Sequence, residues 1–299
     1  MVWMHSHSTS CHCPYCEGDV VLHIRAARDV NMRSTTEVFD WYRCLCCATL
    51  TIKPDVGTSR LARYYPPDYG PHHKQLRMFG PSAKHPIGAR ILFLQTEYGN
   101  KPFRLLDVGC GSGQLLFALA HHFPNAELYG FDIDIGPPAH NLAHTNVKLF
   151  SPDFAAIPTN AQFDVISSSQ FIEHLEDPPV YRVFVTAHLS AGGTVIDDLP
   201  NIESRSARMF GSHWVHIDTP RHRNLPTQKA LMSLHRDMNV EIRTLGSLDA
   251  YTESLMILLK LRSIGGWRRH ALTRIGNMLF RLLRVPLDDK FFTIARKSF

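Results

Sequence analysis

The feature that most constrains the fold is the run Leu105-Leu106-Asp107-Val108-Gly109-Cys110-Gly111-Ser112-Gly113-Gln114. An apolar strand ends in an acidic residue, and a glycine-rich turn opens a helix directly after it. Glycines suit such a turn because they adopt backbone torsions that other residues resist and let the chain pass close to a ligand. From Arg104 onward, short apolar segments alternate with longer helical ones, which makes this run the first βα unit of a parallel sheet. Strands are expected at 104–108, 127–131, 147–150, 163–168 and 194–198, with helices at 114–122 and 179–189 among them. A later strand is expected at 240–245. A β-rich segment at 290–296 closes the chain, and a helical insert at about 253–285 separates the two. The expected class is α/β.

The glycine spacing is G-x-G-x-G, whereas dinucleotide sites use G-x-G-x-x-G. Asp107, just before the first glycine, suits the ammonium group of a methionine moiety and would repel a pyrophosphate. Asp132 ends the second strand, where a carboxylate accepts hydrogen bonds from ribose hydroxyls. The third strand leads into Ser151-Pro152-Asp153-Phe154, where Asp153 can accept from an adenine amino group. Each carboxylate alone fits a loop or capping role. Three after successive strands, at one edge of the sheet, form a constellation.

On these residues the chain resembles the class I methyltransferases that use S-adenosylmethionine (SAM). The match covers most of 104–200 and the last strand. The resemblance implies a Rossmann-like sheet of seven strands with an antiparallel closing strand. It implies SAM as cofactor, held by Asp107, Gly109, Gly111, Asp132 and Asp153, with Gly113 and Phe154 in the same two segments.

Six of the seven cysteines lie in the first fifty residues. Cys13-Pro14-Tyr15-Cys16 and Cys44-Leu45-Cys46-Cys47 form two C-x2-C knuckles, each able to converge two thiolates. Four thiolates suit a closed, tetrahedral, structural Zn²⁺. The gap between the knuckles holds two strand-like runs, 19–24 and 37–43, as in a zinc ribbon. The preferred ligands are Cys13, Cys16, Cys44 and Cys47; Cys11, His12 and Cys46 are near enough in sequence to replace a neighbour. The expected division is a zinc ribbon at 1–57, a connector and helix at 58–100, and a methyltransferase domain at 101–299.

After the fourth strand comes Phe171-Ile172-Glu173-His174-Leu175-Glu176-Asp177-Pro178, similar to the "E-H-L-x-D-P" segment of family members that act on small molecules. The [DN]-P-P-[YF] and Pro-Cys elements of DNA base methylation are absent. After the fifth strand, Trp214-Val215-His216-Ile217-Asp218-Thr219-Pro220-Arg221-His222 resembles a segment of bacterial zinc-ribbon methyltransferases, many from polysaccharide or natural-product pathways. Methyl transfer to an alcohol needs a base, and histidine suits that role near neutral pH. His174, His216 and His222 are the candidates, each with a structural alternative. Arg221 suits a substrate phosphate or carboxylate, or a salt bridge to Asp218.

The chain has 299 residues, 44% hydrophobic, with net charge +5. That size allows one large core and a small satellite. The most apolar run, 255–261, is broken by Lys260, and the N-terminal ten residues lack the apolar stretch of a secretory signal. The expected location is cytoplasmic, free or peripheral at an inner membrane face. Residues 270–284 form an amphipathic helix, with Leu272, Ile275, Leu279, Leu282 and Leu283 on one side and His270, Arg274, Arg281 and Arg284 on the other. The plain reading packs this helix on the domain with its basic face in solvent. The sharper reading puts 268–285 on an anionic membrane surface or a lipid-linked substrate. The expected partner is a small molecule such as a sugar, lipid-linked or natural-product intermediate. The alternatives are an RNA methyltransferase, which the mixed charge of the ribbon disfavours, and a catalytically silent scaffold, which the intact Asp107, Asp132 and glycines disfavour.

Overall fold

The computed structural model describes residues 12–66, 75–142, 145–150, 157–261 and 265–298. Strands β1 (Val20–Arg28), β2 (Val38–Cys44) and β3 (Leu50–Lys53) come first, followed by helices α1 (Thr58–Leu61) and α2 (Pro86–Tyr98). The alternating part runs β4 (Arg104–Val108), α3 (Gln114–His122), β5 (Glu127–Phe131), β6 (Val147–Phe150), β7 (Phe163–Ser169), α4 (Pro178–His188) and β8 (Leu189–Pro200). The rest comprises α5 (Arg205–Phe210), β9 (Asn224–Leu225), α6 (Gln228–Leu234), β10 (Met238–Leu245), α7 (Leu248–Leu258), α8 (Gly266–Leu282) and β11 (Lys290–Lys297).

Seven strands form the main sheet in the order β10-β11-β8-β7-β4-β5-β6. The five strands from β8 to β6 are parallel, whereas β11 is antiparallel to both β8 and β10. This is the expected α/β class with its antiparallel closing strand. From β4 the chain moves outward through β5 and β6, then returns to place β7 on the other flank of β4. The strand order therefore reverses beside β4, and a crevice opens at the carboxyl ends of such strands. The glycine turn leaves β4 at that point.

Both faces of the sheet are covered, as parallel strands require. Leu106, Val108, Ile166, Val195 and Leu199 share one core with Tyr181 and Val185 of α4 and Leu231 of α6. Leu105, Leu128, Val165 and Ile196 point the other way, against Ile91 and Leu94 of α2 and Leu116 and Leu119 of α3. The period-two alternation of β4 thus serves two cores.

The N-terminal strands form a second sheet, β1-β2-β3-β9. Its fourth strand comes from the far end of the chain, with Leu50 opposite Leu225 and Thr51 opposite Asn224. A third core joins the two parts: Phe39, Trp41, Leu50 and Ile52 pack with Tyr64, Trp214, Ile217, Leu225, Tyr251 and Phe280. The sequence reading of a self-contained ribbon misses β9, because two residues carry no periodicity.

Other differences are local. β8 starts at Leu189, ahead of the expected 194; its first turn contains Gly192 and Gly193, which have low strand propensity and mask it. The helix expected at 179–189 is Pro178–His188, with prolines in its first turn. The insert begins at Leu248 and is two helices, α7 and α8. Gly276, Asn277 and Phe280 of α8 face α7, while Ile275, Leu279 and Leu282 are exposed, so α8 does not pack through the apolar side marked in the sequence. Among the described residues, no helix is long and apolar enough to cross a membrane.

Candidate active site

The turn after β4 demands its glycines. Gly109, Gly111 and Gly113 have φ of 76°, 49° and 75°, in the left-handed region. A Cβ on Gly109 would lie 2.7 Å from the Phe171 ring, and one on Gly113 would lie 2.6 Å from Leu142. The backbone N–H of Gly111 donates to Asp132 Oδ2 at 2.7 Å, tying the turn to the end of β5. Asp153 and Phe154 lie outside the described residues.

Asp107 is buried at the end of β4, and its Oδ1 has no hydrogen-bond partner among the described residues. Burial pushes its pKa up to about 7; Asp132 and Asp198 add to the rise, and Arg90 works against it. A carboxyl in that state gains from an arriving cation. Arg90, which composition and spacing did not single out, reaches from α2 under the strand ends. It pairs with Asp198 at 2.6 Å and donates to Ser167 Oγ at 2.9 Å. Ser167 lies opposite Asp107 in the β4–β7 register, so Arg90 braces the strand beside the cofactor side.

A second group of candidate side chains starts where β7 ends. Phe171 lies against Gly109, and the next three residues form a single turn, Ile172–His174. Glu173 is fully buried, and neither carboxyl oxygen has a hydrogen-bond partner among the described residues. Burial holds its pKa well above the usual carboxylate range. His174 Nδ1 lies 2.8 Å from the Arg221 carbonyl and 3.0 Å from the Tyr65 hydroxyl.

His222 sits against His174, ring centroids 4.8 Å apart. Its Nδ1 lies 2.9 Å from the His216 carbonyl, where a ring N–H donates and leaves the Nε2 lone pair open. Nε2 is 3.9 Å from Glu173 Oε1. Burial drives the His222 pKa down to about 3, with His174 adding to the effect; burial also lowers that of His174. His216 is the next ring along, stacked 6.5 Å from His222, and its Nε2 is 3.5 Å from Asp289 Oδ2. The structure thus brings the three candidate histidines together and adds two carboxyls, Glu173 and Asp289, that spacing alone did not mark.

Arg221 takes the second of its two expected roles. It is fully buried between Asp29 at 2.7 Å and Asp218 at 2.6 Å, and it also donates to the Tyr64 carbonyl. The donors of that guanidinium are taken up by Asp218, Asp29 and the Tyr64 carbonyl. Asp29 comes from the end of the first hairpin strand, and Asn31 of the same loop donates to Asp218 at 2.6 Å. The N-terminal module therefore forms part of this wall.

Cys13, Cys16, Cys44 and Cys47 converge, their sulfurs within 4.8 Å of one another. The Cys13–Cys47 and Cys16–Cys44 sulfur distances are both 3.5 Å. A tetrahedral ion with metal–sulfur bonds of about 2.3 Å needs sulfurs roughly 3.8 Å apart, so small shifts would close the cage. The N–H groups of Cys46 and Cys47 point at Cys44 Sγ, at 3.3 and 3.4 Å. Cys46 is exposed with its own sulfur beside Lys229, His12 is exposed beside Asp19, and Cys11 lies outside the described residues. Tyr15, between the first two cysteines, projects into the main core. Its hydroxyl is buried without a hydrogen-bond partner among the described residues, and after burial the strongest influence raising its pKa is Glu173.

A family model described as a methyltransferase domain matches residues 79–245. A malonyl-[acyl-carrier protein] O-methyltransferase of Hahella chejuensis is 28% identical over 46% of this chain and 50% of its own length. A ubiquinone biosynthesis O-methyltransferase of Coxiella burnetii is 32% identical over 35% of this chain and 46% of its own. The chain thus spans about half the length of the curated relatives it matches. A SAM-dependent methyltransferase structure from Archaeoglobus fulgidus aligns with a TM-score of 0.46 at 19% identity, covering 71% of this chain and 94% of that one.

Proposed function

The chain belongs to the methyltransferase-domain family, and from that membership we propose that it is a class I enzyme moving a methyl group from SAM to an oxygen of a small-molecule acceptor. SAM supplies an electrophilic methyl on a sulfonium. The residues present suit it: the Gly109–Gly113 turn leaves room for a ligand to approach the backbone, Asp107 Oδ1 is free for an ammonium group, and Asp132, tied to that turn at the end of β5, is proposed for the ribose hydroxyls. Asp153 and Phe154 are proposed for the adenine. The oxygen acceptor follows the two relatives, a malonyl-[acyl-carrier protein] O-methyltransferase and a ubiquinone biosynthesis O-methyltransferase.

The observation that carries the reading is adjacency. Phe171 touches Gly109, and the same short turn delivers Glu173 and His174 to His222. Cofactor and proton-handling groups thus meet at one strand edge, so that most of the acceleration can come from alignment. His216 is the base we favour. Asp289 stands behind its Nε2 to stabilise the imidazolium that forms when the acceptor hydroxyl gives up its proton. His174 and His222, kept neutral by burial, would hold the acceptor by hydrogen bonds. The four-cysteine cage is proposed as a structural Zn²⁺ site.

The test is incubation of the protein with methyl-labelled SAM and a lysate of its host, with and without RNase. Label that survives RNase and enters a small-molecule or lipid extract supports the reading. Label that RNase removes overturns it in favour of an RNA acceptor.

A further inference from the structure

The insert helix α8 is amphipathic the wrong way round for a helix packed on a core. Its inward face is small or polar. Gly276 approaches so closely that a Cβ there would lie 2.5 Å from Thr252 of α7, Asn277 bonds to Thr252 and Asp249, and Arg269 pairs with Glu253 at 2.9 Å. Phe280 is the large apolar side chain it buries. Its outward face carries the hydrophobic stripe: Trp267, Ile275, Met278 and Leu282 recur at helical spacing, and Trp267 and Leu282 are 75% and 74% exposed. Leu279 and Leu283 widen it. A soluble monomer gains nothing by placing a tryptophan and a run of leucines in water while turning asparagine, arginine and glycine inward.

Charge indicates what covers the stripe. The 17-residue helix contains Arg268, Arg269, Arg274 and Arg281 and no acidic residue, and Arg284 follows it. Arg269 is spent on Glu253. On a helical projection Arg274 and Arg281 flank the stripe on one side, and Arg268 stands at its N-terminal end beside Trp267. An apolar ridge about 25 Å long, bordered by arginines with an aromatic at one end, matches the boundary between headgroups and acyl chains of an anionic bilayer.

We propose that α8 is a membrane-docking helix. It lies in the plane of an anionic lipid surface with Trp267, Ile275, Met278 and Leu282 inserted and its arginines on the headgroups. The core that holds Phe280 also holds Trp214 and Ile217, which flank His216, so docking and acceptor face belong to one packed unit. The proposal does not depend on the methyl acceptor.

The test is co-sedimentation of the full chain with vesicles of phosphatidylcholine alone and of phosphatidylcholine mixed with phosphatidylglycerol. Binding is expected to the mixed vesicles, weakening with salt, and little to the neutral ones. The double variant R274E/R281E is expected to lose roughly fivefold or more in partition coefficient per arginine. W267S/L282S is expected to abolish binding. All four positions are exposed, so folding is checked by melting temperature and SAM affinity, which stay at the wild-type level. No binding to either vesicle overturns the proposal. So does a dimer in sedimentation velocity that W267S/L282S dissolves, since the stripe would then face a second copy.

Discussion

The buried state of Asp107 makes cofactor affinity depend on pH in a way that can be worked out. In the free protein its pKa is raised to about 7, chiefly by burial. A ligand ammonium beside it favours the ionised form, so the bound-state pKa is lower, and binding weakens as pH falls through the free-state value. At pH ~7.5 about three-quarters of the free protein has Asp107 ionised, and at pH ~5.5 about 3% does, a roughly 25-fold fall. The ligand amino group titrates near pH ~7.8 and gains about 1.5-fold over that interval, which leaves a net loss of about fifteenfold, or ~1.6 kcal/mol. S-adenosylhomocysteine has the same amino acid end and no reactive methyl, so isothermal calorimetry with it measures binding alone. Repeating the titration at pH ~6 in buffers of different ionisation enthalpy should reveal close to one proton released on binding. Asp107→Asn should bind more weakly and lack the acid limb. Wild-type affinity that stays flat over this range, or an acid limb that persists in Asp107→Asn, would refute the reasoning.

Four further outcomes are expected. Gly109→Ala should abolish detectable cofactor binding in calorimetry while the protein stays folded, because the new methyl would lie 2.7 Å from Phe171 at a φ of 76°. His216→Asn should cut kcat by roughly 10²–10⁴-fold with KM for SAM unchanged, and kcat should then rise with pH as hydroxide replaces the base. Arg221→Ala leaves Asp29 and Asp218 buried without their partner and should cost about 3–5 kcal/mol, read as a large drop in melting temperature. Elemental analysis should find zinc bound to the purified chain, and Cys47→Ser or a strong chelator should lower the melting temperature.

Most of the framework of the half proposed for the cofactor was legible because its signals are local. β4, β5 and β6 start and stop where the apolar runs do, and the glycines announce their torsions by being glycines. The acceptor half was legible only as types of residue. Three histidines could be marked, but nothing in the run Glu173-His174-Leu175 says that its carboxyl is buried. Its burial results from β8, β9 and α4 packing on its turn, with His222 beside it. Arg90 was hidden for the opposite reason: a lone arginine in an amphipathic helix is ordinarily solvated, and only the depth of α2 against the strand ends makes it a buried partner of Asp198. The outward stripe of α8 was visible as periodicity, but periodicity cannot say which face is turned inward. Gly276 against Thr252 decides that.

The division between the two halves bears on where specificity can reside. Every described group proposed for the cofactor comes from elements between α2 and β8, within the stretch that the family model matches. The side proposed for the acceptor is assembled from distant segments: Glu173 and His174 after β7, His216 and His222 after α5, Asp289 before β11, and Tyr15, Asp29 and Tyr65 from the first quarter of the chain. Asp29 fixes Arg221, whose carbonyl orients His174, and His222 follows directly in the chain. A change in the N-terminal hairpin would therefore move the histidines without touching the glycine turn. Alteration of that module should shift KM and kcat for the acceptor and leave cofactor affinity alone. A module that merely solubilised the domain would not produce that split.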